Sequence, residues 1–416
     1  MSAFVINGGR RLNGNLRVQG SKNSVLPILA ATLLIHGKCV IHNCPALSDT
    51  ECTVKILKSF GCKVQRDGTS ICVDSTSATG FEIPEFLMRE MRSSVVFLGA
   101  VIGRVGKAVI SSPGGCELGP RPIDLHLSAL KKMGVQITEE HGFLRCETPN
   151  GIVGAEIALG FPSVGATENI ILAAVKAKGL TVIHNAAKEP EISDLADFLN
   201  SAGARIYGGC SDTVYIHGVD KLSSSEHAII PDRIAAATYM SCAAINGGDI
   251  TIKGIMPSHI TAILSVFREA GCEINLCGKA LHIMAKNRPS RVSIIRSLVY
   301  PAFPTDAGPL VIAMLTRARG TSVFVENIFE NRFKYVDELT RMGANIKVKG
   351  NTAIIEGKTT LNLDKVNCYE KPQYTKDSKE VKEAKSILDK YCSSKITYDI
   401  NGKEEVLDGS TINTWI

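Results

Sequence analysis

The sequence predicts an α/β protein built from one repeated helix–strand module, and three observations carry that prediction. Five segments share helical periodicity, a glycine, a small residue and then strand alternation: LKSFGCKV (57–64), LKKMGVQI (130–137), LNSAGARI (199–206), FREAGCEI (267–274) and LTRMGANI (339–346). Their glycines, Gly61, Gly134, Gly203, Gly271 and Gly343, recur about every 70 residues, as in a duplicated supersecondary unit. Before each lies an earlier apolar stretch with a polar start, then a glycine turn and a short alternating run: GKCVIHN, GKAVISS, GLTVIHN, GDITIKG and GTSVFVE.

Taken in order, the module begins with a helix: SKNSVLPILAATLL, MRSSVVFLGAVI, PSVGATENIILAAV, PDRIAAATYMSCAA and PTDAGPLVIAML. The strand follows, then a second helix that ends at the repeat glycine, where a positive φ favours that residue, then two more strands. Polar residues gather at the starts of the first helices: Lys22 and Asn23, Arg92 and Ser93, Ser163 and Thr167, Asp232 and Arg233, and Asp306. Ser, Thr, Asp and Asn there serve as N-caps. Cations there oppose the helix dipole, so Lys22, Arg92 and Arg233 point instead to a negatively charged ligand at these helix ends.

The whole-chain composition narrows the class. The 416 residues carry a net charge of +6, with 44% apolar and 21% charged residues, as expected of a globular chain of two or three domains. No apolar run is long enough to span a membrane, and the N-terminus lacks a signal-peptide core, so a cytoplasmic protein is expected. Thirteen scattered cysteines without a CxxC pair suggest neither a disulfide framework nor a zinc site; Cys39, Cys62, Cys242 and Cys272 read as small core residues. The histidines show no metal-ligand spacing, and no metal or organic cofactor is expected. Long Lys/Arg runs are absent and aromatics are few, which argues against nucleic acid and for a small anionic substrate. No obligatory protein partner is evident.

One cysteine stands apart. Cys116 lies in the glycine-rich turn PGGCELGPRPIDLHL (113–127), beside Arg121 and ahead of a helix, where a thiol is either incidental or placed for chemistry. Around it, LRVQGSKNSVLPILAATLL, EMRSSVVFLG, PGGCELGPRPIDLHLSALKKMG, FPSVGATENI, HNAAKEPEISDLADFL, PDRIAAATY, PAFPTDAG and FENRFKYVDELTRMGA occur in the family order of the UDP-N-acetylglucosamine 1-carboxyvinyltransferases. Residues 1 to about 362 therefore resemble these enolpyruvyl transferases. The resemblance implies a two-domain inverse αβ barrel with three modules per domain and helix N-termini aimed at the cleft between them. One domain is expected over 22–230 and the other over 1–21 with 231–363. The implied reaction moves the enolpyruvyl group of phosphoenolpyruvate to the 3'-hydroxyl of UDP-N-acetylglucosamine and releases phosphate, the first committed step of peptidoglycan synthesis.

Residue by residue, the resemblance implies that Cys116 is the proton donor and Asp306 the base on the sugar hydroxyl. It implies phosphoenolpyruvate contacts from Lys22 and Asn23 and anion contacts from Arg92 and Arg121. Pro122, Ile123, Asp124 and Leu125 with Arg121 line the nucleotide site, as do Phe161, Pro162, Ser163 and Val164. Ile328 matches a nucleotide-side position and Arg332 a cleft position. His126 and Asp124 can equally stabilise the loop base. The related 3-phosphoshikimate enolpyruvyl transferases lack the cysteine loop, which sets them aside.

The pattern breaks near the C-terminus. A sixth helix–glycine–strand is due near residue 411, where the chain reads LDGSTINTWI, and the family's Asp-Leu-Arg-Ala-Ser stretch would fall where Glu370, Lys371 and Pro372 stand. From 364 onward there is no arginine, and four of the nine tyrosines and the only tryptophan appear. Residues 364–416 resemble the start of a peptidoglycan-binding domain found before L,D-transpeptidase-type domains. A junction artefact, a genuine fusion or a divergent sixth module would each produce this tail, and the composition change points to the first two. Replacement of the module raises a second functional reading, a nucleotide-sugar-binding remnant without turnover.

Overall fold

Each of the five repeat glycines follows a helix C-terminus. Helices Ser48–Ser59, Asp124–Lys132, Pro190–Ser201, Thr261–Glu269 and Val336–Arg341 all stop two residues before one, and the five glycines take φ between 89° and 102°. The Gly61 N–H reaches the Lys58 carbonyl at 3.0 Å and the Cys62 N–H reaches Leu57 at 3.1 Å, and the same pair recurs at the other four glycines. This double bond pattern satisfies carbonyls that the helix leaves open and turns the chain into the next strand.

The computed structural model describes residues 3–6, 11–111, 122–358, 395–400 and 403–408. They divide into two compact units. One holds Gln19–Asp232 with Val299–Pro301; the other joins the described residues of Met1–Val18, Arg233–Leu298 and Ala302–Ile416.

The first unit contains three modules, and their first helices lie inside. Lys22–Ala31 and Val164–Ala174 are buried over most of their length and apolar on nearly every side, as interior helices must be. Phe97–Val105 crosses Val164–Ala174 so closely that a Cβ on Gly99 would lie 2.2 Å from the Asn169 carbonyl oxygen; only glycine permits that approach. The unit's three sheets bury alternate residues along several of their strands. Lys38–His42, for example, buries Cys39 and Ile41.

Every repeat sheet has one plan. The strand after the first helix pairs antiparallel with the second strand of the following hairpin, and the hairpin's first strand takes the edge. Thus Lys38–His42 pairs with Ser70–Asp74, which pairs with Lys63–Asp67. A short parallel strand closes the other side in four sheets: Glu226–Ala228, Glu156–Ala158, Asn13–Arg17 and Ile294–Arg296.

Among the described residues the second unit has two such modules, with first helices Arg233–Asn246 and Gly308–Leu315. A further three-stranded sheet departs from the plan. Ala3–Ile6 pairs antiparallel with Lys395–Ile400, which pairs antiparallel with Lys403–Asp408. Here the hairpin's first strand is central, and the neighbouring short strand runs antiparallel to it. The tail strands therefore meet the chain's first strand in an order that no repeat sheet shares. Glu370, Lys371, Pro372 and the 411 region lie outside the described residues. Among the described residues no helix is long and apolar enough to cross a membrane.

Candidate active site

The polar residues singled out in the sequence do begin helices. Lys22 opens Lys22–Ala31, Arg92 opens the 3-10 turn Arg92–Val96 that leads into Phe97–Val105, and Ser163 caps Val164–Ala174 by accepting from the Ala166 N–H at 3.3 Å. In the second unit Arg233 opens Arg233–Asn246, and Asp306 lies in the 3-10 turn Thr305–Ala307 before Gly308–Leu315.

In the first unit the start of Lys22–Ala31 is tied to the segment ending at Asp232. The Ser21 N–H donates to the Ile230 carbonyl at 2.8 Å and the Lys22 N–H to Asp232 Oδ2 at 3.2 Å, while Lys22 Nζ pairs with Asp49 at 3.5 Å. Pro27 has no N–H to offer the Asn23 carbonyl four residues back, so the helix start carries fewer internal bonds than its length suggests. This helix packs against the Arg92–Val96 turn, which packs against Val164–Ala174, which packs against Asp124–Lys132. The elements carrying Lys22, Asn23, Arg92, Ser163 and Asp124 are thus neighbours.

Pro122, Ile123, Asp124 and Leu125 form the entry to Asp124–Lys132, with Pro122 and Asp124 exposed and Ile123 and Leu125 half-buried. Phe161 is exposed, and Pro162, Ser163 and Val164 are half-buried. Cys116 and Arg121 lie outside the described residues, as does the side chain of Arg92. Five of the described thiols behave as core. Burial pushes Cys44 and Cys52 up to about 12 and Cys62, Cys146 and Cys272 up to about 11, so none is poised as a thiolate near neutrality. Cys39 is also buried, whereas Cys242 is half-buried.

Three buried polar groups beneath these helix starts had not been singled out in the sequence. Asp194, on Pro190–Ser201, accepts from Ser24 Oγ, from His227 Nε2 at 2.8 Å and from the Ile230 N–H at 3.2 Å. Asn169 accepts the Gly99 N–H at 2.7 Å and donates to the Val95 carbonyl at 3.0 Å. Its Nδ2 also lies 2.8 Å from His126 Nδ1, so that nitrogen acts as the acceptor and His126 is a buried brace at the loop base. Glu168 is held well above the usual carboxyl range, first by burial and then by Glu191 and Glu189.

In the second unit Arg332 Nη2 donates to Asp306 Oδ1 at 2.7 Å. Arg332 is 9% exposed and Asp306 39%, so a buried guanidinium fixes an accessible carboxylate. Arg332 Nε and the Tyr335 hydroxyl have no partner among the described residues, and burial pushes the Tyr335 phenol up. Glu326, 2% exposed, accepts from the Ile328 N–H at 2.8 Å, the Phe329 N–H at 3.2 Å and Thr305 Oγ1 at 2.8 Å. The sequence held a signal for Glu326: where two of the other repeat strands are followed by Asn43 and Asn185, this module has an acid.

A helix-start lysine and asparagine in one unit, and a fixed accessible aspartate in the other, suit binding of an anion and removal of a proton. The EPSP synthase (3-phosphoshikimate 1-carboxyvinyltransferase) family profile matches residues 6–371. UDP-N-acetylglucosamine 1-carboxyvinyltransferase 2 of Caldanaerobacter subterraneus subsp. tengcongensis is 52% identical over 86% of this chain and 85% of its own. The chain belongs to the UDP-N-acetylglucosamine 1-carboxyvinyltransferase family. A second member, from Symbiobacterium thermophilum, is 46% identical over 88% of this chain and 84% of its own. Among solved structures, the enolpyruvyl transferase NikO from Streptomyces tendae superposes with a TM-score of 0.76 at 20% identity, covering 86% of this chain and 84% of that one. EPSP synthase from Acinetobacter baumannii gives 0.64 at 17% identity, covering 86% and 85%. These two likenesses concern the fold, which is the α/β fold of enolpyruvyl transferases.

Proposed function

We propose that the chain transfers the enolpyruvyl group of phosphoenolpyruvate to the 3'-hydroxyl of UDP-N-acetylglucosamine, releasing phosphate, as a cytoplasmic step of peptidoglycan synthesis. The observation that carries this reading is the 52% identity, over 86% of the chain, to a protein bearing that name.

In this reading the domains are 22–230 and 1–21 with 231–363, and the chemistry is addition followed by elimination. Asp306 takes the proton of the sugar hydroxyl, the oxygen bonds to C2 of phosphoenolpyruvate, and Cys116 gives a proton to its C3 methylene. The tetrahedral adduct then loses a proton from the new methyl group and expels phosphate, restoring the double bond. Asp306 suits the base role because Arg332 orients it while leaving it accessible. Lys22 and Asn23 hold the phosphoenolpyruvate anion, Arg92 and Arg121 make anion contacts, and residues 121–125, 161–164 and Ile328 hold the nucleotide sugar.

The test is phosphate release from phosphoenolpyruvate with UDP-N-acetylglucosamine, in the native chain and in Cys116→Ser. Release that is lost in the variant is the expected result. A folded chain that binds the nucleotide sugar and releases no phosphate would overturn the transferase reading in favour of a binding remnant.

A further inference from the structure

We propose that Glu326 is a positioning residue that sets Asp306 and the Ile328 loop in register for the sugar hydroxyl. The proposal rests on the transferase reading and deepens it.

The repeat supplies the first observation. Two repeat strands are followed by an asparagine whose amide secures the adjacent parallel strand: Asn43 Nδ2 donates to the Ile229 carbonyl at 2.9 Å and Asn185 Nδ2 to Leu159 at 2.8 Å. In the module that carries Asp306, this task falls one residue later, to Asn327, whose Nδ2 donates to the Ser297 carbonyl at 3.1 Å. The correspondence holds on the parallel side of the ladder, where Ile229, Leu159 and Ser297 each donate their N–H to the last residue of the strand concerned; Asn43 and Asn185 then turn at φ 58° and 55°, which Glu326 does not. The strand-end position is thereby released from its structural task and holds Glu326.

The second observation is what Glu326 does there. A buried carboxylate is costly unless hydrogen-bonded. Its Oε1 takes the N–H groups of Ile328 and Phe329, and its Oε2 takes the hydroxyl of Thr305, the residue before Asp306. One side chain therefore joins the turn bearing the candidate base to the loop bearing Ile328 and leading to Arg332, which grips Asp306 from the other side. A neutral asparagine secures the strand elsewhere, so strand-holding does not explain the acid. Registry between two functional segments does.

The experiment uses the full chain with Glu326→Gln, Glu326→Ala and Thr305→Val. It measures kcat, KM for each substrate, the Kd for UDP-N-acetylglucosamine and thermal unfolding. Glu326→Ala should lose about 100-fold in kcat/KM for UDP-N-acetylglucosamine, the effect of displacing a reacting group by about 1 Å, while KM for phosphoenolpyruvate changes less than about threefold. Glu326→Gln should recover much of that loss, because its amide oxygen still accepts from Ile328 and Phe329 and its Kd for the nucleotide sugar is weakened less. Thr305→Val should lower kcat roughly tenfold with little change in KM, since only the link to the base is cut. Native kcat and KM in folded Glu326→Gln and Thr305→Val would overturn the proposal. So would a fall in kcat that follows loss of folded protein with both KM values unchanged, which would mark a structural role alone. If the native chain releases no phosphate, the transferase reading fails by itself. The Kd then decides for Glu326, and an unchanged value in both Glu326 variants overturns it.

Discussion

Asp194 and Glu326 solve one problem in the two units by different means. Each is a buried acid that accepts a hydroxyl from the first turn of a first helix, Ser24 in one case and Thr305 in the other, together with backbone N–H groups from a nearby loop. In the first unit the acid comes from a second helix and is completed by a histidine on an edge strand. In the second it comes from a strand end, and an arginine acts on the neighbouring aspartate instead. The difference teaches that the repeated module fixes where a helix start lies but not how that start is held. A helix N-terminus kept available for a ligand must be anchored by other groups, and each unit has found its own.

Removing Asp194 breaks this comparison hardest. Asp194→Ala strands a buried hydroxyl, a histidine N–H and a backbone N–H, and should destabilise the chain by roughly 3–5 kcal/mol in denaturant unfolding. A loss below about 1 kcal/mol would show that the clamp is not structural. A change of pH sharpens the comparison next. Because Glu168 is held protonated in the fold, the folded chain keeps a proton that the unfolded chain releases. Its contribution to stability is present below the unfolded value of 4.5 and is lost as pH rises towards the elevated folded value. Glu168→Gln should therefore gain in Tm over the native chain progressively as pH rises above the unfolded value of 4.5, and a constant difference would refute the assignment.

Smaller effects test the scaffold common to both units. Gly203→Ala meets no atom within 4 Å, so its cost, about 1–2 kcal/mol, should come from the backbone at φ 102° alone. Gly271→Ala, at φ 90° in the other unit, should cost about the same, and a clear inequality would mean that the two caps are not equivalent. At the surface, Lys286 pairs with Glu273 at 2.8 Å with both side chains more than half exposed, and Lys286→Ala should shift stability by less than about 1 kcal/mol.

What was legible in the sequence follows the same division. The repeat glycines and the helix starts at Lys22, Arg92 and Ser163 were readable because each reflects a local backbone demand, a positive φ or an uncapped N–H group. Asp194 was not, since Ser24 and His227 lie 170 and 33 residues away and nothing local marks a helix residue as a clamp. Glu326 stood between: its neighbours read as a strand, and only alignment of the strand ends with Asn43 and Asn185 exposes the acid. The final sheet was the least readable, because its centre is the first strand of a hairpin, against the plan of every repeat sheet.

The pairing of Asn13–Arg17 with Asp249–Lys253 bears on how the chain is made. Asn13–Arg17 leaves the ribosome before Gln19–Asp232, but its partner is added more than 200 residues later, a wait of roughly 10–50 s at about 5–20 residues per second. During that interval all of Gln19–Asp232 becomes available to fold around its own three modules, while Asn13–Arg17 stays an unpaired edge. Nascent chains halted once Asp232 has emerged should already resist proteolysis over the first unit and remain cleavable near residue 15. The amino terminus of this protein is made first and finished late.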